Sequence, residues 1–139
     1  MESARRFRYK YLQFKDAIAN FKQAMAINLK EQQDLTVIDS IRNGQIQKFE
    51  FCLELTWKLI KLYLQAYHAL DVYSPKQVLK TFFTTKTISK DLYENLYAAL
   101  EARNRMSHLY NEELFEEIYK ELPQYLEAFL DLDEFFKTI

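Results

Sequence analysis

Residues 46–70, IQKFEFCLELTWKLIKLYLQAYHAL, decide the fold. Within them Phe49, Leu53, Trp57, Ile60, Leu64 and Tyr67 recur at steps of four, four, three, four and three, which puts them on one face of an α-helix and on no face of a strand. The same track extends upstream through Ile38, Ile41 and Gln45. Gly44 is its weak point, because glycine inside a helix costs about 1 kcal/mol relative to alanine. The spacing therefore predicts a bend or a boundary near 42–45 and a central helix over 46–70.

Working outward, Phe7, Tyr11, Phe14, Ile18, Phe21, Met25 and Leu29 form an earlier helical stripe. Downstream, Ser74-Pro75-Lys76-Gln77 supplies an N-cap, a proline at the first helical position and a capping-box glutamine, which predicts a short helix over about 75–84. Ser89 can cap the next helix, whose stripe holds Leu92, Leu96, Ala99, Arg103, Met106 and Tyr110. Asn111-Glu112-Glu113 reads as a fresh cap with acids in the first turn. Leu114, Ile118, Leu122, Tyr125, Phe129, Leu132 and Phe136 then complete a last helix, which Pro123 should kink or divide. One glycine and two prolines in 139 residues leave almost no turn chemistry for hairpins. The expectation is an all-α, up-and-down bundle of four main helices plus a short one, in a single domain over 1–139.

Composition narrows the function. The single cysteine, Cys52, lies in an apolar run and reads as a core thiol, which excludes an intramolecular disulfide and a multi-cysteine metal site. The N-terminal MESARRFRYKYLQFK alternates charges with aromatics, so no secretory leader is expected and a cytoplasmic location is. No run approaches the roughly 18 apolar residues that a membrane span requires. The net charge of -1 hides an asymmetry: residues 1–30 carry seven Lys/Arg against two acids, and residues 111–139 carry nine acids against two lysines. The two ends could attract each other. Any RNA contact should be local, since the chain lacks the overall basic balance of a bulk polyanion binder.

Two histidines occur, His68 and His108. His68 closes the central helix, where the helix dipole gives it an ordinary role. His108 stands five residues after Arg103, so on a straight helix the two diverge by about 140°. They converge if the helix ends or bends, or if a second subunit supplies the opposite half. Asn104 lies four residues before His108 and can orient its ring. An imidazole acting as acid or base beside an arginine that stabilises phosphate charge suits metal-independent phosphodiester cleavage. A structural cluster that satisfies buried polar groups at a helix boundary is the alternative. Trp57 with Phe49, Phe51 and Leu53 reads as core, a stacking platform for bases being the other reading of the tryptophan. Glu112, Glu113, Glu116 and Glu117 reflect the helix dipole rather than a metal site. No cofactor is expected, because one glycine cannot build a phosphate cradle.

Arg103-Asn104-x-x-x-His108-x-Tyr110 resembles the Arg-x-x-x-x-His-x-Tyr signature of HEPN-domain proteins. Asn43–Phe51, continued by Glu54-Leu55-Thr56-Trp57-Lys58, looks like the central helix of the branch called nucleotidyltransferase substrate-binding proteins, and Ser74–Val78 resembles its short connecting helix. The resemblance implies a homodimeric HEPN-like bundle that partners a minimal nucleotidyltransferase (MNT), as in HEPN/MNT toxin–antitoxin pairs. It also implies a metal-independent ribonuclease centre assembled from both subunits, with His108 as acid/base, Arg103 on phosphate and Asn104 in a positioning role. Tyr110 would be the site where adenylylation by the partner neutralises the toxin. A non-catalytic subunit that binds a substrate or the partner is the alternative within the same branch.

Overall fold

The computed structural model describes residues 2–108 and 111–139. Five helices follow in chain order: α1 (Glu2–Met25), α2 (Leu35–His68), α3 (Pro75–Thr84), α4 (Lys90–His108) and α5 (Glu112–Phe136), with one 3-10 turn at Leu29–Glu31 between α1 and α2. There is no strand among the described residues. The helix starts are chemically marked. Asp34 accepts from the Thr36 N–H at 2.9 Å, Ser74 from Gln77 at 3.4 Å, Ser89 from Leu92 at 3.1 Å and Asn111 from Leu114 at 2.8 Å. Gln77 reaches forward to Thr81 instead of back to its cap.

Neither Gly44 nor Pro123 divides its helix. α2 runs unbroken through Gly44, and α5 runs unbroken through Pro123. Gly44 is flanked by residues that neighbouring helices hold. The buried Gln45 donates to the Ala24 carbonyl at 2.8 Å and accepts from the Tyr119 hydroxyl at 2.6 Å. Arg42 pairs with Glu116 and lies over the Tyr119 ring at 4.4 Å. Each net hydrogen bond is worth about 0.5–1.5 kcal/mol, so together these contacts outweigh the glycine penalty of about 1 kcal/mol. In α5, buried Leu114, Ile118 and Leu122 precede the proline, and Tyr125, Phe129 and Leu132 continue the same apolar face beyond it. The packing therefore keeps both halves in one helix.

Cross-helix contacts fix the directions. Cys52 against Ala17 and Gln45 against Ala24 make α1 and α2 antiparallel. Gln45 with Tyr119 and Phe49 with Tyr125 make α2 and α5 parallel, and Arg105 with Glu117 and Asn95 with Gln124 make α4 and α5 antiparallel. The result is an up-and-down bundle in which α3 bridges α2 and α4. Phe21, Phe49, Tyr125 and Phe129 fill its middle. Phe7, Tyr63, Phe82 and Phe136 fill one end. Phe51 is not core as expected: it is 62% exposed, because two residues on from buried Phe49 the helix has turned about 200°. The chain ends meet through Tyr11, which donates to Asp133 at 2.7 Å. No ion pair joins residues 2–30 to 111–139 among the described residues. No described helix is long and apolar enough to cross a membrane.

Candidate functional site

On α4, Leu92, Leu96, Ala99 and Leu100 are buried against the bundle, and the stripe they begin carries Arg103 to the same side. An arginine at that address needs an anion, because an unpaired cation at a packed surface loses its hydration without compensation. α2 provides it. Arg103 Nη2 lies 3.2 Å from Glu54 Oε2, both side chains being about one-third exposed. Glu54 is shared: the Trp57 indole N–H donates to the same Oε2 at 3.3 Å, and Lys58 Nζ lies 3.3 Å from Oε1. One helical turn earlier on α2, burial pushes the Glu50 carboxyl above its ordinary range while the Arg103 charge pulls the other way. The guanidinium thus works on two carboxylates of one α2 face.

About one helical turn from this pair, at Glu50 of α2 and Met106 of α4, a groove of about 600 Å³ opens, lined also by Asn43, Gly44 and Gln47 of α2 and Phe115 of α5. Arg105, two residues from Arg103, points elsewhere and ties α4 to α5 through Glu117 at 3.2 Å. Ser107 donates to the Arg103 carbonyl at 3.2 Å.

His108 is exposed and is the last residue of α4, which stays helical from Arg103 to that point. A helix bend between them therefore does not bring these two side chains together. Asn104 is half-buried, and no hydrogen bond joins it to His108 among the described residues. Tyr110 lies outside the described residues. His68 ends α2 as read from the sequence, and its Nε2 sits 3.2 Å from the Tyr63 hydroxyl. Cys52 is buried, its thiol donating to the Ala17 carbonyl at 3.2 Å and pushed up to about 12 by burial. Among the acids at the start of α5, Glu116 pairs with Arg42 and Glu117 with Arg105. No group of three or more His, Cys, Asp or Glu is arranged to hold a metal among the described residues.

Sequence reasoning from spacing alone did not find Glu50 or the bridging role of Glu54. The signal was present: Glu50, Glu54 and Lys58 stand four apart and share one face of a helix. Gln45 was visible as a polar residue on an apolar track, which marks a buried group with partners to find.

Residues 9–138 match the family model described as "Nucleotidyltransferase substrate binding protein like". Among solved structures, the chain is similar to a protein from Thermus thermophilus, with 25% identity, a TM-score of 0.70, and 86% of this chain and 98% of that one covered. It is also similar to a Shewanella oneidensis HEPN toxin solved in tri-AMPylated form in complex with an MNT antitoxin, with 18% identity, a TM-score of 0.74, and 96% and 97% covered. At that identity the second likeness is one of fold, and the fold is HEPN-like. No curated protein matches the sequence.

Proposed function

The chain belongs to the nucleotidyltransferase substrate-binding-like family, and from that premise we propose that it is the HEPN-type partner of a minimal nucleotidyltransferase and a metal-independent endoribonuclease. The observation that supports this most directly is Arg103 held half-buried on Glu54, on the same helix as an exposed His108. In this reading the RNA 2′-hydroxyl attacks the adjacent phosphorus and the bond to the 5′-oxygen breaks. His108 takes or returns a proton, and Arg103 carries the charge that develops on the phosphoryl oxygens. Asn104 positions the ring. Because α4 keeps Arg103 and His108 about 140° apart, the working pair comes from two subunits of a homodimer whose α4 helices face each other. Adenylylation of Tyr110, seven residues on from Arg103 in the sequence, would add an anion and a base to the motif and close the site.

Incubation of the pure protein with RNA in EDTA tests the chemistry. Cleavage that leaves 2′,3′-cyclic phosphate ends is expected from the wild type and is lost in His108→Ala and Arg103→Ala. Equal cleavage by all three would assign the activity to a contaminant. Co-expression with a nucleotidyltransferase encoded beside the gene should add AMP masses that Tyr110→Phe abolishes.

A second reading has one observation in its favour. In the single chain the Arg103 guanidinium is already neutralised by Glu54, so the motif could serve only as a binding element for a substrate or the partner. Unchanged partner binding with no cleavage under any condition would select that reading.

A further inference from the structure

Away from Arg103, the N-terminal half of α1 and the C-terminal half of α2 enclose two adjoining grooves of about 390 and 270 Å³ that share Arg6, Lys10 and Leu62. Arg5, Arg6, Lys10, Lys58 and Lys61 line them, and Glu2 is the one acid among the lining residues. No carboxylate lies within ion-pair distance of Arg5, Arg6, Lys10 or Lys61 among the described residues. Asp71, which feels the charge of Lys61, is held by Tyr73 at 2.7 Å and Gln65 at 2.8 Å. A half-buried tryptophan, Trp57, sits in the wall between these cations. The groove is also wired to the candidate site: Lys58 and Trp57 hold the Glu54 carboxylate that pairs with Arg103.

We propose that this groove is the track on which single-stranded RNA lies before it reaches Arg103, an inference that rests on the ribonuclease reading above. Cations on two helices suit a phosphodiester backbone, and an aromatic face among them gives an unpaired base something to stack on. An acidic peptide would use the charges but gain nothing from the face of the indole. With a net charge of -1, the attraction is confined to this patch.

Trp57 is the chain's single tryptophan, so indole fluorescence reports the groove directly. Full-length His108→Ala, which leaves RNA uncut, is titrated with a uridine oligonucleotide of about a dozen nucleotides, a length within the range of single-strand sites. Quenching is expected. Adding Arg6→Ala, Lys10→Ala and Lys61→Ala should weaken binding at least tenfold and lower the salt slope by about two, since each single-strand phosphate contact contributes roughly 0.7. Lys15→Ala with Lys22→Ala and Lys30→Ala, on and just after α1 but outside the groove, should leave affinity nearly unchanged. Equal loss in both sets, or quenching by polyglutamate as strong as by RNA, would overturn the proposal. So would wild-type-like RNA cleavage, with unchanged KM, by the groove variant in a His108 background. Quenching that depends on the three cations in a protein that never cleaves RNA would keep the groove and remove the ribonuclease reading.

Discussion

Burial pushes the Cys52 thiol up to about 12, so at pH 8 it stays protonated, and the thiolate is the form that reacts. Native protein should therefore resist iodoacetamide at pH 8, with labelling followed by intact mass and appearing only when the chain is unfolded. Labelling as fast as in denaturant would show an accessible thiol. Arg103 is the opposite case. Its partner Glu54 keeps Lys58 and Trp57 if the arginine is lost, and partly exposed ion pairs are worth about 0–1 kcal/mol. Arg103→Ala should thus abolish cleavage while lowering stability by no more than about 1 kcal/mol in a urea titration. Glu50 adds a pH signature. Its carboxyl is raised by burial, so the folded state holds the proton longer than the unfolded chain does. Stability from this group is present at acid pH and is lost as pH rises from the ordinary range through the raised value. Glu50→Gln should remove that loss, its advantage over wild type growing across the window and levelling above it. An advantage independent of pH would rule out the carboxyl as its source.

At the scale of the helix, the chain's one glycine and the two left-handed residues among the described ones are misplaced relative to each other. A Cβ at Gly44 would meet nothing within 4 Å, whereas Ala69 (φ 54°) and Lys86 (φ 59°) occupy the conformation that favours glycine. Gly44→Ala should stabilise the folded monomer by about 0.5–1 kcal/mol, and Ala69→Gly by about 1 kcal/mol at the end of α2. Both are read as rises in Tm, and a fall for Gly44→Ala would mean that α2 needs freedom at that point. Gln45→Ala should cost roughly 1–3 kcal/mol, because it takes the acceptor from the Tyr119 hydroxyl and leaves the Ala24 carbonyl with the Ile27 N–H alone. Here the limits of the sequence become physical. The caps at Ser74, Ser89 and Asn111 were legible because capping is local, acting within three residues. The continuity of α2 through Gly44 was not, since it depends on Ala24 and Glu116, whose proximity only the packed bundle creates. Arg103 was legible as half-packed from its stripe. Glu54 as its partner required knowing which face of α2 turns towards α4, and no local pattern carries that.

For the whole molecule, a homodimeric centre makes a quantitative prediction about mixtures. Arg103→Ala and His108→Ala proteins, each inactive, are mixed and allowed to exchange subunits. If each centre takes its arginine from one subunit and its histidine from the other, half the dimers become mixed and each mixed dimer regains one of two centres, giving about a quarter of wild-type activity. No recovery after demonstrated exchange would place both residues of a working centre in one chain. At 34 residues α2 is about 50 Å long, and it carries Arg42 and Gln45 towards one end, Glu50 and Glu54 in the middle, and Trp57 and Lys61 towards the other. α1 and α5 pack along its flanks, so these groups are held on one rigid rod. Because Lys58 and Trp57 line the basic groove and also hold the Glu54 carboxylate that pairs with Arg103, an anion that drew Lys58 away would leave Glu54 more fully to the arginine, so inhibitors of such a protein can be sought at a distance from its chemistry.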